Sequence, residues 1–419
     1  MPGSVLHLSS VVGSPLLDSA GERLGRVEDL IARLDAGDQL PSVTGLKARI
    51  GGREMFVPAD RIARLAPQEA RTSTTKLNLA RFERRPGEVL LRGDVLSRSM
   101  INVSTARLVT AREVELIDDG GTWRVAGIVP GVRAGLERLL PRRFRGHERE
   151  HAAFVPWAEI EPFVGHVPSS RLRLAPRRVA RLHPAQIADL VEAASHDEGA
   201  EIMRAVGHDK ELEADVFEEL NDEHQVEFLR ERSDAEVAGV LARMGSDDAA
   251  DLLLEIEQDR RIPVLNLLPA PKQLKLKRLL GYNPSTAGGL MNPDFASIPA
   301  DASVAQALEH VRDSELAPSQ LLVIWVVDAE GRLFGAVSCS ELVRADPGAN
   351  VTSLIETRIP AISPQTELPE AARLMADFDL LAIPVIDEDD KPIGVVAFDD
   401  VLELLIPAHW RRRAGDVRE

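Results

Sequence analysis

Six short segments between residues 183 and 267 open in nearly the same way, and this repetition limits what the chain can fold into. They start at His183, His196, Asn221, Ser233, Ser246 and Gln258, about every 12–13 residues. Each begins with a polar residue, usually followed by an acid and then by apolar residues at helical spacing. A polar cap and a first-turn carboxylate suit the positive end of a helix. Helices this short do not persist alone in water. They must stack and share a core, as helical repeats do. The pattern predicts an α-helical superhelix over residues 176–280.

The flanks have different periods. In residues 1–167, Leu16-Leu17-Asp18 and Arg23-Leu24 return 84 residues later as Met100-Ile101-Asn102 and Arg107-Leu108. Phe56-Val57-Pro58, followed by Ile62, returns 98 residues later as Phe154-Val155-Pro156, followed by Ile160. The second copy therefore carries about 14 more residues. Short strands and polar turns such as Gly51-Gly52 and Asp119-Gly120-Gly121 predict two small β-barrels or sandwiches. A linker is expected from Val167 to Ala175. After residue 284 a β-β-α order occurs twice, over about 284–345 and 351–406. The first half reads as helix Val304–Arg312, strand Leu321–Val327, strand Leu333–Ser338 and a helix from Glu341. The second reads as helix Pro369–Ala376, strands Ala382–Ile386 and Ile393–Ala397, and a helix from Asp399. Residues 407–419 read as a tail. The fold class expected is multidomain α+β: a β-barrel-like duplication, a helical superhelix and a C-terminal α/β module.

Composition removes several function classes. A net charge of −17 disfavours a nucleic acid backbone or an anionic membrane as partner, and favours cations. Aromatic residues make up 4%, too few to suggest base stacking as a binding mode. Cys339 is the only cysteine, so neither an internal disulfide nor a cysteine-built zinc site is available. The longest apolar run, Leu321–Val327, is far short of the ~20 residues a spanning helix needs. No secretory leader is expected from the first residues. The expectation is a soluble, cytoplasmic, non-enzymatic protein that does not itself span a membrane.

Five phrases carry resemblances to three kinds of domain. LHPAQIADLV and MGSDDAADLLLEI, from Leu182 and Met244, resemble the N-terminal superhelical domain of MgtE-type magnesium channels. STAGGLM, from Ser285, and RLMADFDLLAIPVIDEDDKPIGVVAFDDVLELL, from Arg373, resemble the tandem CBS (Bateman) module of that family. GSPLLDSAGERLGRVEDLIARLD, from Gly13, resembles PRC-barrel domains, which often serve in docking. The family's transmembrane domain and linking helix have no counterpart in this sequence. The resemblance implies a regulator related to magnesium transport, a homodimer through the CBS pair, and a separately encoded membrane transporter as partner.

Two ligand sites are expected. Asp247 and Asp251 share a helical face, as do Asp399, Asp400 and Glu403 at the last helix. Repulsion within such sets is relieved by a hard divalent cation, and magnesium needs only one or two carboxylates because it keeps several waters. The resemblance assigns Mg2+ to Asp247, Asp251, Asp379 and Asp400, with Asp248 and Glu403 beside them. The same acids also serve simply as first-turn residues. The second expected ligand is an adenine nucleotide in the CBS cleft, as in many CBS pairs, with Trp325, Ser338, Glu341, Pro384 and Asp400 as its residues. A passive scaffold is the third reading. His147-Glu148-Arg149-Glu150-His151 matches H-E-x-x-H, but in what reads as a loop, so zinc catalysis is not expected. The basic cluster Trp410-Arg411-Arg412-Arg413 reads as a solvated end.

Overall fold

A computed structural model describes residues 5–34, 39–75, 80–85, 87–131, 154–162, 178–355 and 359–406. The expected linker, the H-E-x-x-H stretch and the basic tail lie outside the described residues. The chain forms two units, Met1–Asn221 and Asp222–Glu419.

In the first unit the duplication is built as two sheets. Strands β1 (Val5–His7), β2 (Pro15–Leu17), β3 (Arg23–Arg33), β4 (Val43–Ile50), β5 (Arg53–Pro58), β6 (Ile62–Ala66), β7 (Glu69–Thr72) and β8 (Ala80–Arg81) cover the first copy. Strands β9 (Glu88–Leu90), β10 (Ser99–Asn102), β11 (Arg107–Asp119), β12 (Thr122–Pro130), β13 (Val155–Pro156) and β14 (Ile160–Pro162) cover the second. One sheet runs β6-β7-β2-β3-β4-β5-β8 and the other β13-β12-β11-β10-β14. Equivalent residues sit in equivalent registers. Leu16 pairs with Gly25 as Met100 pairs with Val109. Leu46 pairs with Val57 as Ile128 pairs with Val155. Gly45 and Gly127 both permit a close approach of the next strand, since a Cβ there would meet the carbonyl oxygen of Val57 or Val155 at 2.4 or 2.2 Å. The extra residues of the second copy fall between β12 and β13, where the first copy has only the Gly51-Gly52 turn.

The copies exchange their first strands. β1 belongs to the first copy but pairs with β11 of the second, Leu6 opposite Leu116. β9 opens the second copy but pairs with β3 of the first, Val89 opposite Ala32. A carboxylate fixes each exchange at a β-bulge. Asp29, 5% exposed, accepts the N–H groups of Arg92 and Gly93 at 2.8 and 3.0 Å, just after β9. Its counterpart Glu113 accepts from the backbone N–H and the hydroxyl of Ser9, just after β1. One apolar core, including Leu6, Leu30, Leu46, Val114, Leu116 and Ile128, spans both copies. A one-turn helix, α1 (Leu8–Val11), buries Leu8 and Val11 in it.

Helices then follow in series: α2 (Pro184–Ala193), α3 (His196–Val206) and α4 (Lys210–Glu219) in the first unit, and α5 (Asp222–Arg230), α6 (Asp234–Leu241), α7 (Ser246–Glu255), α8 (Gln258–Leu267) and α9 (Ala270–Leu279) in the second. Two of these escape the sequence pattern. α4 is capped by Asp209, which accepts from the N–H groups of Glu211 and Leu212, and α9 enters through Pro269 and Pro271 without a polar cap. Three caps sit one residue before the expected position, at Ser195, Gly245 and Glu257. Within the second unit α6 buries Val237, Val240 and Leu241, and α7 buries Ala249, Leu252 and Leu253. Each buried Val or Leu contributes about 1.5–3 kcal/mol. Arg260 of α8 ties the stack together, donating to Asp234 and to the carbonyl of Arg232 at 2.8 and 2.7 Å.

The rest of the second unit is a doubled β-β-α module. A short helix, α10 (Ala287–Leu290), precedes β15 (Ser297–Pro299), α11 (Val304–Asp313), β16 (Val323–Val327), β17 (Leu333–Ser338) and α12 (Cys339–Arg344). The second half contains α13 (Leu368–Asp377), β18 (Ala382–Ile386), β19 (Pro392–Ala397) and α14 (Phe398–Leu405). The first strand is shorter than its apolar run, because Pro318–Leu321 forms a 3-10 turn instead. The halves repeat in detail. Asp328 accepts from the N–H groups of Glu330 and Arg332, and Asp387 from those of Asp389 and Lys391. Each strand pair has its bulge at the same step, Val326/Val327 and Val385/Ile386.

Candidate functional site

The acidic residues of α7 and α14 define the candidate site. Gly245 caps α7, and a Cβ on it would meet the carboxyl oxygens of Asp247 and Asp248 at 2.7 and 2.8 Å. The glycine therefore lets both side chains fold back over the helix start. Burial raises Asp247 above the usual carboxylate range, against the backbone N–H groups of Asp247 and Asp248 and the charge of Lys272. One turn on, Asp251 is exposed, yet desolvation, followed by the charges of Asp247, Asp222 and Glu255, raises it to about 6. On α14, burial followed by the charges of Asp247 and Asp399 raises Asp400 to about 7. The structure thus brings Asp247, Asp251 and Asp400 into one field, in which each charge opposes the next. Glu403, exposed one turn along α14, adds to the effect on Asp400.

Asp248 is exposed at the start of α7. Asp379 is exposed and has φ 52°. It follows the C-cap of α13, and the Leu380 N–H donates to the Met375 carbonyl at 2.9 Å, so Asp379 occupies the left-handed position of a Schellman motif. The same loop reaches α14 through the Phe398 N–H, which donates to the Leu381 carbonyl at 2.9 Å.

The residues expected to meet a nucleotide occupy matching positions in the two halves. Trp325 and Pro384 are central in β16 and β18. Ser338 and Ala397 cap α12 and α14, and Glu341 and Asp400 follow three residues later. Trp325 is 1% exposed, and Pro384 is buried. Ser338 and Glu341 close a reciprocal cap: the Glu341 carboxylate accepts the Ser338 N–H at 2.8 Å and its hydroxyl at 2.7 Å. At the matching position Ala397 has no hydroxyl, and Asp400 accepts only its backbone N–H in that cap. The two halves have therefore diverged, with Glu341 committed to a helix start and Asp400 turned to the acidic field.

Several residues of the site do not stand out in the sequence. Asn292 donates its side-chain N–H to Asp247 Oδ1 at 3.0 Å. Ser246, wholly buried, donates to Asp294 at 2.7 Å, and Lys275 pairs with the same carboxylate. Asn292 and Asp294 come from the segment after α10 and Lys275 from a helix with no polar cap, so no periodicity marks them, while the repeat marks Ser246 only as a helix start. Among the described residues, no group of three or more His, Cys, Asp or Glu is arranged to hold a metal ion. A hydrated magnesium ion needs only one or two protein carboxylates.

A helical stack followed by a paired β-β-α module defines the class: a helical-repeat domain joined to a Bateman module. Residues 182–285 match the MgtE intracellular N domain family, and residues 287–348 and 351–407 each match the CBS domain. The chain therefore carries an MgtE N domain followed by a tandem CBS pair. It is 31% identical over 197 residues to the magnesium transporter MgtE of Thermus thermophilus, a match covering 46% of this chain and 43% of the relative. The MgtE of Bacillus subtilis is 26% identical over 192 residues, again 46% and 43%. The matched stretch thus spans less than half of these curated relatives. Two solved structures resemble the chain at a TM-score of 0.50. The soluble part of a magnesium transporter is 25% identical, covering 55% of this chain and 90% of that one. The cytosolic domain of the Mg2+ channel MgtE in complex with ATP is 28% identical, covering 54% and 92%. Among the described residues no helix is long and apolar enough to cross a membrane.

Proposed function

We propose that this chain is a cytosolic, non-catalytic regulator in magnesium homeostasis, which binds a divalent cation between the acids of α7 and α14. The state of Asp400, raised to about 7 by burial and then by the charges of Asp247 and Asp399, carries the reading. Opposed carboxylates raised in this way keep an energetic deficit that a cation relieves. The likeness to magnesium transporters supports the choice of metal. Thermal unfolding of the whole chain tests it. Magnesium at 100 times its dissociation constant should stabilise the chain by about 2.7 kcal/mol. Monovalent salt at matched ionic strength should not. Asp251→Ala with Asp400→Ala should abolish the gain, and an undiminished gain in that variant would place the cation elsewhere.

A second reading, an adenine nucleotide in the CBS cleft, is favoured by one observation: a similar structure was solved with ATP. In the same assay it predicts a shift with ATP in chelator. No shift with ATP counts against it.

The module is further proposed to pair with a second copy. Phe398, Leu402 and Leu405 lie on one face of α14 and are 42%, 43% and 51% exposed. Light scattering should give a dimer mass, and Leu402→Glu with Leu405→Glu should give a monomer. A monomeric parent chain ends that proposal.

A further inference from the structure

The linker between α10 and β15 lies at the start of the CBS pair, and its polar side chains meet α7 and α9 of the helical stack. Asn292 is fixed to β19 through both backbone groups, its N–H to the Val395 carbonyl at 2.8 Å and its carbonyl from the Val395 N–H at 2.9 Å. Met291 packs over Gly394, where a Cβ would meet its side chain at 2.7 Å. From this anchored position the Asn292 side chain donates to Asp247 at 3.0 Å and accepts the Asp294 N–H at 2.8 Å. Asp294 in turn accepts from Ser246 at 2.7 Å and pairs with Lys275. Lys272 donates to the Met244 carbonyl at 2.6 Å and to the Ser246 hydroxyl at 3.2 Å. Two ammonium groups of α9 thus sit around the start of α7 and the linker carboxylate. Burial works against ionisation of Asp294, yet Lys275, Ser246 and Lys272 together hold it below the usual carboxylate range. Lys272 also acts on Asp247 in the same sense.

We propose that Lys272 and Lys275 are resident cations of this joint: with Asn292 and Asp294 they form a protein-made latch that holds the first turn of α7 against the linker, and through it against β19, in the absence of any metal ion. A divalent cation then meets an acidic pair already in place rather than drawing two separate domains together. Charge-assisted hydrogen bonds with several partners in a half-buried setting are strong enough for this role. The latch goes beyond the cation reading and does not require it.

Hydrogen exchange of the full chain in chelator tests the latch. Peptides covering residues 244–256 and 291–296 should be protected in the parent protein without metal. Lys272→Met with Lys275→Met should speed their exchange about tenfold, while peptides of β3 and β11 stay unchanged. Asp294→Asn, which keeps size and removes charge, should act in the same direction and serves if the double lysine variant folds poorly. Rapid exchange in the metal-free parent protein, or unchanged exchange in both variants, overturns the latch. Adding magnesium separates the two ideas. Protection restored to the lysine variant leaves the latch and the cation reading both standing. No magnesium effect on any form leaves the latch standing and removes the cation.

Discussion

Magnesium should bind this chain on the order of twenty-fold more weakly at pH 6 than at pH 8, because the two titrating carboxyls of the proposed site must lose their protons first. Asp400 is raised to about 7 by burial and the Asp247 charge. Asp251 is raised to about 6 by desolvation and the same neighbour. At pH 8 both are ionised in most molecules, whereas at pH 6 Asp400 is mostly protonated and Asp251 about half so. The sign for stability follows from the same shifts. Raised carboxyls keep protons in the folded chain that the unfolded chain has already released. Their contribution is therefore most favourable below about pH 4 and is lost as pH rises towards 7. A bound cation opposes that loss, so its stabilising effect should grow over the same interval. Calorimetric titration at pH 6 and pH 8, at one ionic strength, measures the ratio. Equal affinities would show that neither carboxylate binds the ion.

Asp29→Ala should destabilise the N-terminal module by about 2–4 kcal/mol, since it strands backbone N–H groups that a buried carboxylate now accepts. Asp29 is buried and raised to about 6 by that burial, and it accepts from Leu30, Arg92 and Gly93. The residues after β9 lose their anchor to β3 when it is removed. Glu113→Ala breaks the matching contact of the other copy at less cost, about 1 kcal/mol, because its partner Ser9 is exposed and turns to water. Urea unfolding followed by tryptophan emission compares the two, since Trp123 and Trp157 both lie in this module. A loss below 0.5 kcal/mol in Asp29→Ala, on the same order as a surface change, would mean that the carboxylate does not hold the exchange.

Much of this architecture can be read from local sequence signals. The doubled β-β-α module is written in apolar runs and in Asp-led turns at Asp328 and Asp387, both set by neighbours in the chain. The duplication of the β module shows in Phe56-Val57-Pro58 and Phe154-Val155-Pro156. The exchange of β1 and β9 does not show, because a three-residue strand pairs equally well with either sheet by its own pattern. Only the core formed by both copies decides it. The helical stack is legible where a Ser or His opens a turn, and is hidden at α4 and α9. The acids of α7 and α14 are visible as charge runs. The effect of Asp247 on Asp400 is not, since it depends on the fold that brings α14 within reach of α7, and no spacing connects Asn292 or Lys272 to Asp247 either. Ser338 and Glu341, similar to a ligand motif in sequence, are engaged with each other at a helix start.

The exchange of first strands also sets an order of events during synthesis. Ser9 and Glu113 are 104 residues apart in the chain. At roughly 5–20 residues per second, the ribosome needs roughly 5–20 seconds to supply the second after the first. Through that interval β1 has no strand to join, and the first copy waits for β9 to complete its own sheet. Neither copy can finish ahead of the other, so the duplicated module emerges as one folding unit with two late closures. An interruption between the copies would leave exposed strand edges, the kind of surface on which newly made chains associate wrongly.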